Sequence, residues 1–144
     1  MGTTFVDGKD DIGILQLVKY QAGQRFDLHH DWYDYPQRHA DGRRFNRIAS
    51  FFAFLHDNCT EGETYFPYIK PTKGPNSRGL LDQEGKFRLH KDGGVAFKPI
   101  RGNALFWMNL AANGTGDKRV VHAGLPVAEG TKVAMNIWPR KFYD

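Results

Sequence analysis

The sequence predicts a mainly β domain, an all-β sandwich or barrel with few short helices. Aromatic residues make up 14% of the 144 positions, and 16 positions are glycine. Short apolar runs recur between glycine, proline, asparagine and aspartate residues, which is typical of strands joined by turns. Because open strand edges invite aggregation, a double-sheet jelly roll is one architecture that would protect them. No internal repeat or amphipathic helix of normal length interrupts this pattern.

The first half of the chain contains three predicted strands. Residues 1–12 are polar and are expected to form a lead-in to one domain over residues 13–144. The first two strands are predicted near residues 12–20 and 25–32, and residues 33–44 are expected to form a polar loop. Residues 47–55 are almost continuously apolar, as in a strand buried on both faces or a short helix. Their phenylalanine content and the flanking turns favour the strand.

The second half of the chain shows the same pattern of short predicted strands separated by turns. Residues 61–67 form a turn into another short strand. Residues 70–93 are rich in glycine and proline, and a loop of this length in a compact domain is usually functional or mobile. Four further strands are predicted, over residues 95–99, 104–109, 119–123 and 131–138.

Composition limits the partners that this chain is expected to have. The 20 lysines and arginines, against 16 acidic residues, are scattered rather than clustered, so nucleic acid is not an expected partner. The modest positive charge would suit an acidic small molecule such as a dicarboxylate. Cys59 is the single cysteine, which excludes an intramolecular disulfide. No signal-peptide core or apolar run of membrane-spanning length is present, so no membrane association is expected and a cytoplasmic location is the default.

The run from Arg25 to Trp32 contains the first candidate metal ligands. Side chains alternate between the two faces of a strand, so His29 and Asp31 are expected to face one way and His30 the other. An imidazole and a carboxylate on one face supply two ligands of a 2-His-1-carboxylate triad, the arrangement typical of non-haem Fe(II) oxygenases. A third, distant histidine is needed to complete such a site.

His122 is the best candidate for that third ligand. It lies 93 residues after His29, within a short apolar strand where an imidazole is out of place without a specific task. Lys132 follows ten residues later at the start of another apolar strand. A lysine in this setting could pair with an anionic ligand inside the mouth of a barrel.

Several runs in this order closely resemble the catalytic domain of the prolyl 4-hydroxylases. They are LQLVKY at 15–20, HHD at 29–31, GETYFP at 62–67, GNALFW at 102–107, HAGLPV at 122–127 and the lysine at 132. The resemblance covers roughly residues 13–140, and the HHDW, HAGLPV and NIW runs are more similar to a fungal-type branch than to the collagen enzymes. It implies a double-stranded β-helix, that is, a jelly roll.

The resemblance also implies a reaction and its cofactors. Such enzymes are Fe(II)- and 2-oxoglutarate-dependent dioxygenases that hydroxylate an unactivated C–H bond and release succinate and CO₂. The substrate class would be a prolyl residue in a peptide or a small amino-acid-like molecule. By position, His29, Asp31 and His122 match the iron ligands. O₂ is the co-substrate, and ascorbate is the expected reductant.

The remaining site residues are also carried over from the resemblance by position. Lys132 matches the residue that forms a salt bridge with the distal carboxylate of 2-oxoglutarate. Tyr20 and Thr64 match the hydroxyls that hydrogen-bond the same carboxylate. Arg47 and Trp138 match positions that line the peptide-substrate cleft. Charge and donors are physically required here, because an unpaired carboxylate would be costly to bury in a narrow barrel.

The sequence alone is compatible with two alternative functions and raises one structural question. The chain could be a jelly-roll binding module with a weakened catalytic site, or a cupin-like metalloenzyme that does not use 2-oxoglutarate and therefore does not need Lys132. Prolyl hydroxylase domains usually carry further helices and strands before the first of these runs, so this domain is expected to be short at its N-terminus. An uncovered sheet face would then be expected to pair in a homodimer or to be covered by a partner chain.

Overall fold

The computed structural model describes residues 10–70 and 85–143, which form 14 strands and one short 3-10 turn. The strands are β1 (Asp10–Ile12), β2 (Gln16–Gln21), β3 (Phe26–His29), β4 (Gln37–Arg38), β5 (Arg44–Arg47), β6 (Ala49–His56), β7 (Cys59–Glu61), β8 (Thr64–Phe66), β9 (Phe87–Leu89), β10 (Val95–Phe97), β11 (Ala104–Met108), β12 (His122–Gly124), β13 (Val127–Ile137) and β14 (Pro139–Tyr143). The predicted mainly β class is therefore confirmed. Residues 1–9 of the expected lead-in and most of the predicted loop at 70–93 lie outside the described residues.

Three antiparallel sheets make up the described fold. Sheet I has the order β11-β6-β13-β2, with β7 attached to β13, and sheet II has the order β3-β12-β8-β10-β9. The smaller sheet III has the order β1-β14-β5-β4. Phe52 and Phe54 of sheet I belong to the same core cluster as Phe66 of sheet II, so the two larger sheets pack face to face. This is the two-layer arrangement of a jelly roll.

Strand β6 shows how the sequence produces this packing. Ser50, Phe52 and Phe54 are buried, whereas Phe51 and Leu55 between and beyond them are exposed. The alternation follows from the two-residue period of a strand. The prediction of a strand over residues 47–55 is thus confirmed, but the expected burial on both faces is wrong because only one face of sheet I meets the core.

The opposite face of sheet I is apolar and exposed, and we refer to it as the outer face. It carries Leu17 of β2, Phe51 of β6 and Phe106 of β11, which are 67%, 38% and 56% exposed. Phe51 and Phe106 are directly paired, with their ring centroids 4.7 Å apart. Met108 and Leu55 extend the surface along the same two strands. Exposed apolar patches of this kind usually mark an interaction surface.

Several strand boundaries differ from the predicted ones. The expected loop at 33–44 contains β4 and the first residue of β5, which pair with each other at the edge of sheet III. The strand predicted over 119–123 begins instead as a 3-10 turn, Lys118–Val120, because the Asp117 side chain accepts a hydrogen bond from the Arg119 amide. Strand β13 begins at Val127, since its first part pairs with β7 before the rest joins β2 and β6. Within the described residues, no helix is long and apolar enough to cross a membrane.

Candidate active site

One cavity of about 380 Å³ brings together all the side chains that the sequence suggested for a site. The residues in question are Tyr20, His29, Asp31, Arg47, Thr64, His122, Lys132 and Trp138. They come from strands of all three sheets, or from the residues next to them, and span most of the chain. Convergence of distant polar groups on one pocket is the usual mark of a binding or catalytic site.

Two histidines and an aspartate form the polar centre of this cavity. His29 of β3 and His122 of β12 are direct partners across two neighbouring strands, and their ring centroids are 4.3 Å apart. The Asp31 Oδ1 atom lies 3.7 Å from His29 Nε2 and 3.9 Å from His122 Nε2. Because β3 ends at His29, Asp31 reaches the same side from the bend after the strand. All three ligand atoms lie within 4.8 Å of one another, so one metal ion could bind them together.

Backbone carbonyl groups orient both imidazoles toward this centre. His29 Nδ1 lies 2.8 Å from the Asp27 carbonyl oxygen, and His122 Nδ1 lies 2.9 Å from the Val120 carbonyl oxygen. A carbonyl only accepts, so each Nδ1 must carry the hydrogen, and the neutral ring presents the Nε2 lone pair to the centre. This arrangement is usual for histidines that bind metal ions.

Burial supports the neutral state of His122. The ring packs against Trp107 and Phe66, at centroid distances of 4.8 Å and 5.3 Å. This burial lowers the pKa of the His122 imidazole below its ordinary value, while the Asp31 carboxylate acts in the opposite direction. A neutral imidazole is the form that coordinates metals. Two neutral imidazoles and one carboxylate are the donor set of Fe(II) oxygenases, so these residues fit an iron ion.

Lys132 is buried deep in the same cavity, with only 1% of its surface exposed. Its Nζ donates a hydrogen bond to the Gly62 carbonyl oxygen at 2.6 Å and lies 4.7 Å from the centre of the Tyr20 ring. Burial lowers the pKa of Lys132 to about 8, although the Cys59 thiol and the Glu63 carboxylate oppose this change. Within the part of the chain that the structure describes, this ammonium group has one neutral hydrogen-bond acceptor, which makes it a favourable site for an anion.

The groups around Lys132 leave that ammonium group available to an anion. The Glu63 carboxylate is already bound by Arg88, whose Nε lies 2.8 Å from Glu63 Oε1. Thr64 Oγ1 is buried and has no hydrogen-bond partner among residues 10–70 and 85–143. Burial also raises the pKa of Tyr20, so its hydroxyl stays protonated and able to donate. A carboxylate placed here would gain a cation and two hydroxyl donors.

Arg47 and Trp138 lie against each other on the wall of the cavity. The Arg47 guanidinium carbon is 3.6 Å from the centre of the Trp138 ring and 4.8 Å from that of Tyr33. Its Nη1 is also 3.4 Å from the Asp31 carbonyl oxygen. Burial is the largest cause of a lowered pKa for Arg47. Stacking on the two aromatic rings favours the charged guanidinium and so helps to keep Arg47 protonated. The pair therefore forms a flat, partly cationic surface beside the metal ligands.

His30 is outside the group of candidate metal ligands, as the sequence predicted. Its Nδ1 lies 2.9 Å from the Trp32 carbonyl oxygen, and its ring stacks on Trp32 at 4.0 Å. It is half-buried and still borders the cavity, so it does not point fully away from the site.

Sequence reasoning missed several polar residues of the site. Gln16 and Asn136 line the cavity and hydrogen-bond each other, with 3.0 Å between Asn136 Nδ2 and Gln16 Oε1. The strand period could have identified Gln16, since it lies on the same face of β2 as Tyr20. Ser50 and Asn109, which contact each other behind Asp31, gave a weaker signal as polar residues within apolar runs.

Comparisons with known proteins agree with this geometry. The sequence model of the 2OG-Fe(II) oxygenase superfamily matches residues 15–140. Prolyl 4-hydroxylase 13 of Arabidopsis thaliana is 33% identical over 138 residues, which cover 94% of this chain and 46% of that protein. Probable prolyl 4-hydroxylase 6 of the same plant is 36% identical over 125 residues, which cover 86% of this chain and 40% of that protein. The chain thus spans less than half the length of these relatives.

A solved structure supports the fold. The viral collagen prolyl hydroxylase of Paramecium Bursaria Chlorella virus-1, in its 2OG complex, superposes with a TM-score of 0.63 at 23% identity. The match covers 92% of this chain and 60% of the viral one, which confirms the predicted jelly roll. Assignment to a fungal-type branch stays a prediction. Since the family match extends over almost the whole domain that bears the His-Asp-His centre, this chain belongs to the 2OG-Fe(II) oxygenase superfamily.

Proposed function

We propose that residues 13–144 are the catalytic domain of a prolyl 4-hydroxylase-like dioxygenase that uses Fe(II), 2-oxoglutarate and O₂. The domain would hydroxylate an unactivated C–H bond of a prolyl residue in a peptide and release succinate and CO₂. The observation that carries this proposal is the presence of a His-Asp-His centre and a buried lysine in one cavity. Relatives named as prolyl 4-hydroxylases, at 33% and 36% identity, support the substrate class.

His29, Asp31 and His122 would hold the iron ion. When bound, Fe(II) with 2-oxoglutarate and O₂ supplies the oxidative decarboxylation that is coupled to hydroxylation. The three side chains would occupy one side of the ion and leave positions for the keto acid and for O₂. Packing of His122 against Trp107 and Phe66 would keep bulk water away from that centre. We expect ascorbate to serve as the reductant.

Lys132, Tyr20 and Thr64 would bind the distal carboxylate of 2-oxoglutarate. The buried ammonium group would provide the counter-charge, and the two hydroxyls would donate hydrogen bonds to the carboxylate oxygens. A dicarboxylate would thereby be oriented with its keto acid end toward the metal ligands. This requirement for Lys132 separates the proposal from a cupin-like metalloenzyme that does not use 2-oxoglutarate.

Arg47 and Trp138 would bind the substrate beside the metal centre. The compact apolar ring of proline can pack on an indole, and the guanidinium can donate to a peptide carbonyl. Both side chains are held by their contact with each other, which limits the conformational entropy lost on binding. These two residues would select a prolyl residue within a peptide.

Succinate production tests the enzymatic proposal directly. His29→Ala and His122→Ala should abolish it, whereas Lys132→Ala should mainly raise the concentration of 2-oxoglutarate that is required. His56→Ala and Lys19→Ala are matched controls, because both residues are exposed on strands of sheet I. Turnover that persists in all three site variants would refute the proposal.

An anaerobic titration separates the enzyme from a binding module with a weakened site. Fe(II) plus 2-oxoglutarate should give a visible metal-to-ligand charge-transfer band in the wild-type protein, and Lys132→Ala should weaken it. If the band is absent, the domain is a binding module. Succinate release should then be screened against proline-rich peptides and free amino acids, and stimulation by free amino acids alone would identify a small-molecule enzyme.

We also propose that the outer face of sheet I is covered in solution by a second copy of this chain or by a partner chain. The proposal rests on the exposure of Leu17, Phe51 and Phe106 on one contiguous surface. Light scattering at micromolar concentration should report a dimer for the isolated chain, and Phe106→Glu should convert it to a monomer. A wild-type protein that stays monomeric would contradict the homodimer.

A further inference from the structure

Two polar residues are buried directly behind the candidate metal ligand Asp31. Ser50 of β6 and Asn109, the residue after β11, are both 0% exposed. Ser50 Oγ lies 2.6 Å from Asp31 Oδ2, and Asn109 Nδ2 lies 2.9 Å from Ser50 Oγ. Burying such groups is costly unless they are hydrogen-bonded, so the three side chains form one connected polar unit in an apolar layer.

The direction of each hydrogen bond in this unit is fixed by chemistry. An ionised carboxylate can only accept, so the Ser50 hydroxyl must donate its single hydrogen to Asp31. Ser50 Oγ can then only accept from its other neighbour, which requires the amide nitrogen of Asn109 to face it. The relay therefore runs from Asn109 through Ser50 to Asp31.

The relay divides the two oxygens of the Asp31 carboxylate between two tasks. Oδ2 is engaged by Ser50, while Oδ1 is the oxygen that faces His29 Nε2 at 3.7 Å and His122 Nε2 at 3.9 Å. We propose that Ser50 and Asn109 are positioning residues that hold Asp31 as a one-oxygen metal ligand. This inference rests on the proposed function. A carboxylate that bound through both oxygens would occupy a position that the keto acid or O₂ needs.

Asn109 is itself rigidly anchored by its backbone. Its amide donates to the Ile48 carbonyl oxygen at 2.8 Å, and its carbonyl accepts from the Asp117 amide at 2.9 Å. These bonds connect the end of β11 to Ile48, which precedes β6, and to Asp117, which precedes the 3-10 turn before His122. The relay is thus attached to the same framework that carries the third ligand, which is the support that a precise metal site requires.

A pair of substitutions at Ser50 separates the hydroxyl from its packing. Thr and Val have nearly the same shape, so Ser50→Thr and Ser50→Val add the same volume to the core and differ in the hydroxyl donor. Co(II) binding by the metal-free protein can be followed through tryptophan fluorescence, because the Trp107 ring lies 4.8 Å from the His122 ring. Ser50→Val should weaken Co(II) binding by about 10- to 100-fold relative to Ser50→Thr, the usual effect of losing such a partner.

The double variant tests whether Asn109 acts through Ser50. Asn109→Leu should weaken Co(II) binding less than Ser50→Val does, because Ser50 can still donate to Asp31. Adding Asn109→Leu to Ser50→Val should cause little further loss, since the relay is already broken. The visible absorption of bound Co(II), which reports coordination number, should change in Ser50→Val and not in Ser50→Thr.

The outcomes of these measurements distinguish failure of the relay from failure of the proposed function. Equal Co(II) affinity and equal spectra for Ser50→Thr and Ser50→Val would overturn the relay, and additive losses in the double variant would overturn the role of Asn109. Melting temperatures without metal show whether both Ser50 variants fold. If they do not, Ser50→Ala removes the hydroxyl donor without adding volume, and a Co(II) affinity equal to that of the wild type would then overturn the relay. A wild-type protein that fails to bind Co(II) would refute the proposed function instead.

Discussion

Replacing Lys132 with methionine should separate the stability of this domain from its ability to bind 2-oxoglutarate. The side chain is almost fully buried, and its ammonium group has the Gly62 carbonyl as a close acceptor. Methionine keeps much of the length and apolar surface of lysine and removes the charge. We therefore expect Lys132→Met to need much more 2-oxoglutarate than the wild type while it keeps the fold.

The magnitude follows from the pKa of Lys132. Burial lowers this pKa from 10.5 to about 8. At about 1.36 kcal/mol for each pH unit, the charged side chain costs the folded state about 3 kcal/mol near pH 7. Removing the lysine also leaves the buried Gly62 carbonyl without that donor, which costs about 1–3 kcal/mol. The net effect of Lys132→Met at pH 7 should therefore lie between about 0 and 2 kcal/mol of stabilisation.

The dependence on pH gives a cleaner measurement than the net effect. Between pH 8 and pH 10.5 the unfolded chain binds a proton at Lys132 more tightly than the folded protein does. The stability of the wild-type protein should therefore rise with pH through this window, and this contribution should be absent from Lys132→Met. Urea unfolding at pH 7 and at pH 9.5, without metal or 2-oxoglutarate, measures both quantities.

The same unfolding assay tests the anion site. With Co(II) present, a fixed concentration of 2-oxoglutarate should stabilise the wild-type protein at pH 7 and should stabilise Lys132→Met much less. Lys19→Met, on the exposed side of the neighbouring strand β2, is the matched control and should behave as the wild type. Our reasoning fails if Lys132→Met is destabilised by more than about 2 kcal/mol at pH 7 or if its pH profile equals that of the wild type.

Three further substitutions test other parts of the structure. Arg47→Lys should raise the KM for a prolyl peptide at least several-fold and leave 2-oxoglutarate binding unchanged, because lysine cannot stack flat on Trp138; an unchanged KM would remove Arg47 from the substrate site. Phe54→Ala, at a side chain that is 1% exposed, should cost about 3–5 kcal/mol in urea unfolding, and a loss below 1 kcal/mol would contradict its place in the core. Gly94→Ala should lower the melting temperature, because the residue has φ of +76° and a Cβ there would collide with the Phe66 carbonyl oxygen. An unchanged melting temperature would show that this turn can relax.

The candidate ligand triad could be predicted because few residue types can form it. His122 is conspicuous in a short apolar strand, and the strand period puts His29 and its second neighbour Asp31 on one side. Asp31 lies in a bend after β3 rather than in the strand, so its predicted side is correct although the strand period is not what places it there. The family resemblance supplied Lys132, Tyr20 and Thr64, and the structure places all three in the same cavity.

The relay behind Asp31 could not be predicted in the same way. Ser50 and Asn109 are separated by 59 residues and meet Asp31 only because β6 and β11 pair in one register. A shift of that register by one residue would turn Ser50 to the outer face, and local sequence does not determine long-range register. The turn at Lys118–Val120 was missed for a related reason, since the bond that the Asp117 side chain accepts from the Arg119 amide outweighs the β propensity of Val120 and Val121.

The pairing of β3 with β12 has a consequence for the mechanical integrity of sheet II. Among the described strands, β3 lies at the end of that sheet and is hydrogen-bonded on one side to β12. An ion shared by His29 and His122 would act as a cross-link across this single seam and would close a loop of more than ninety residues in the folded chain. Amide hydrogens of β3 should then exchange much more slowly once metal is added, while those of β9 at the far end of the sheet should change little. Occupancy of the candidate metal centre would in this way also hold β3 over the edge of β12, which would otherwise be free to pair with other chains.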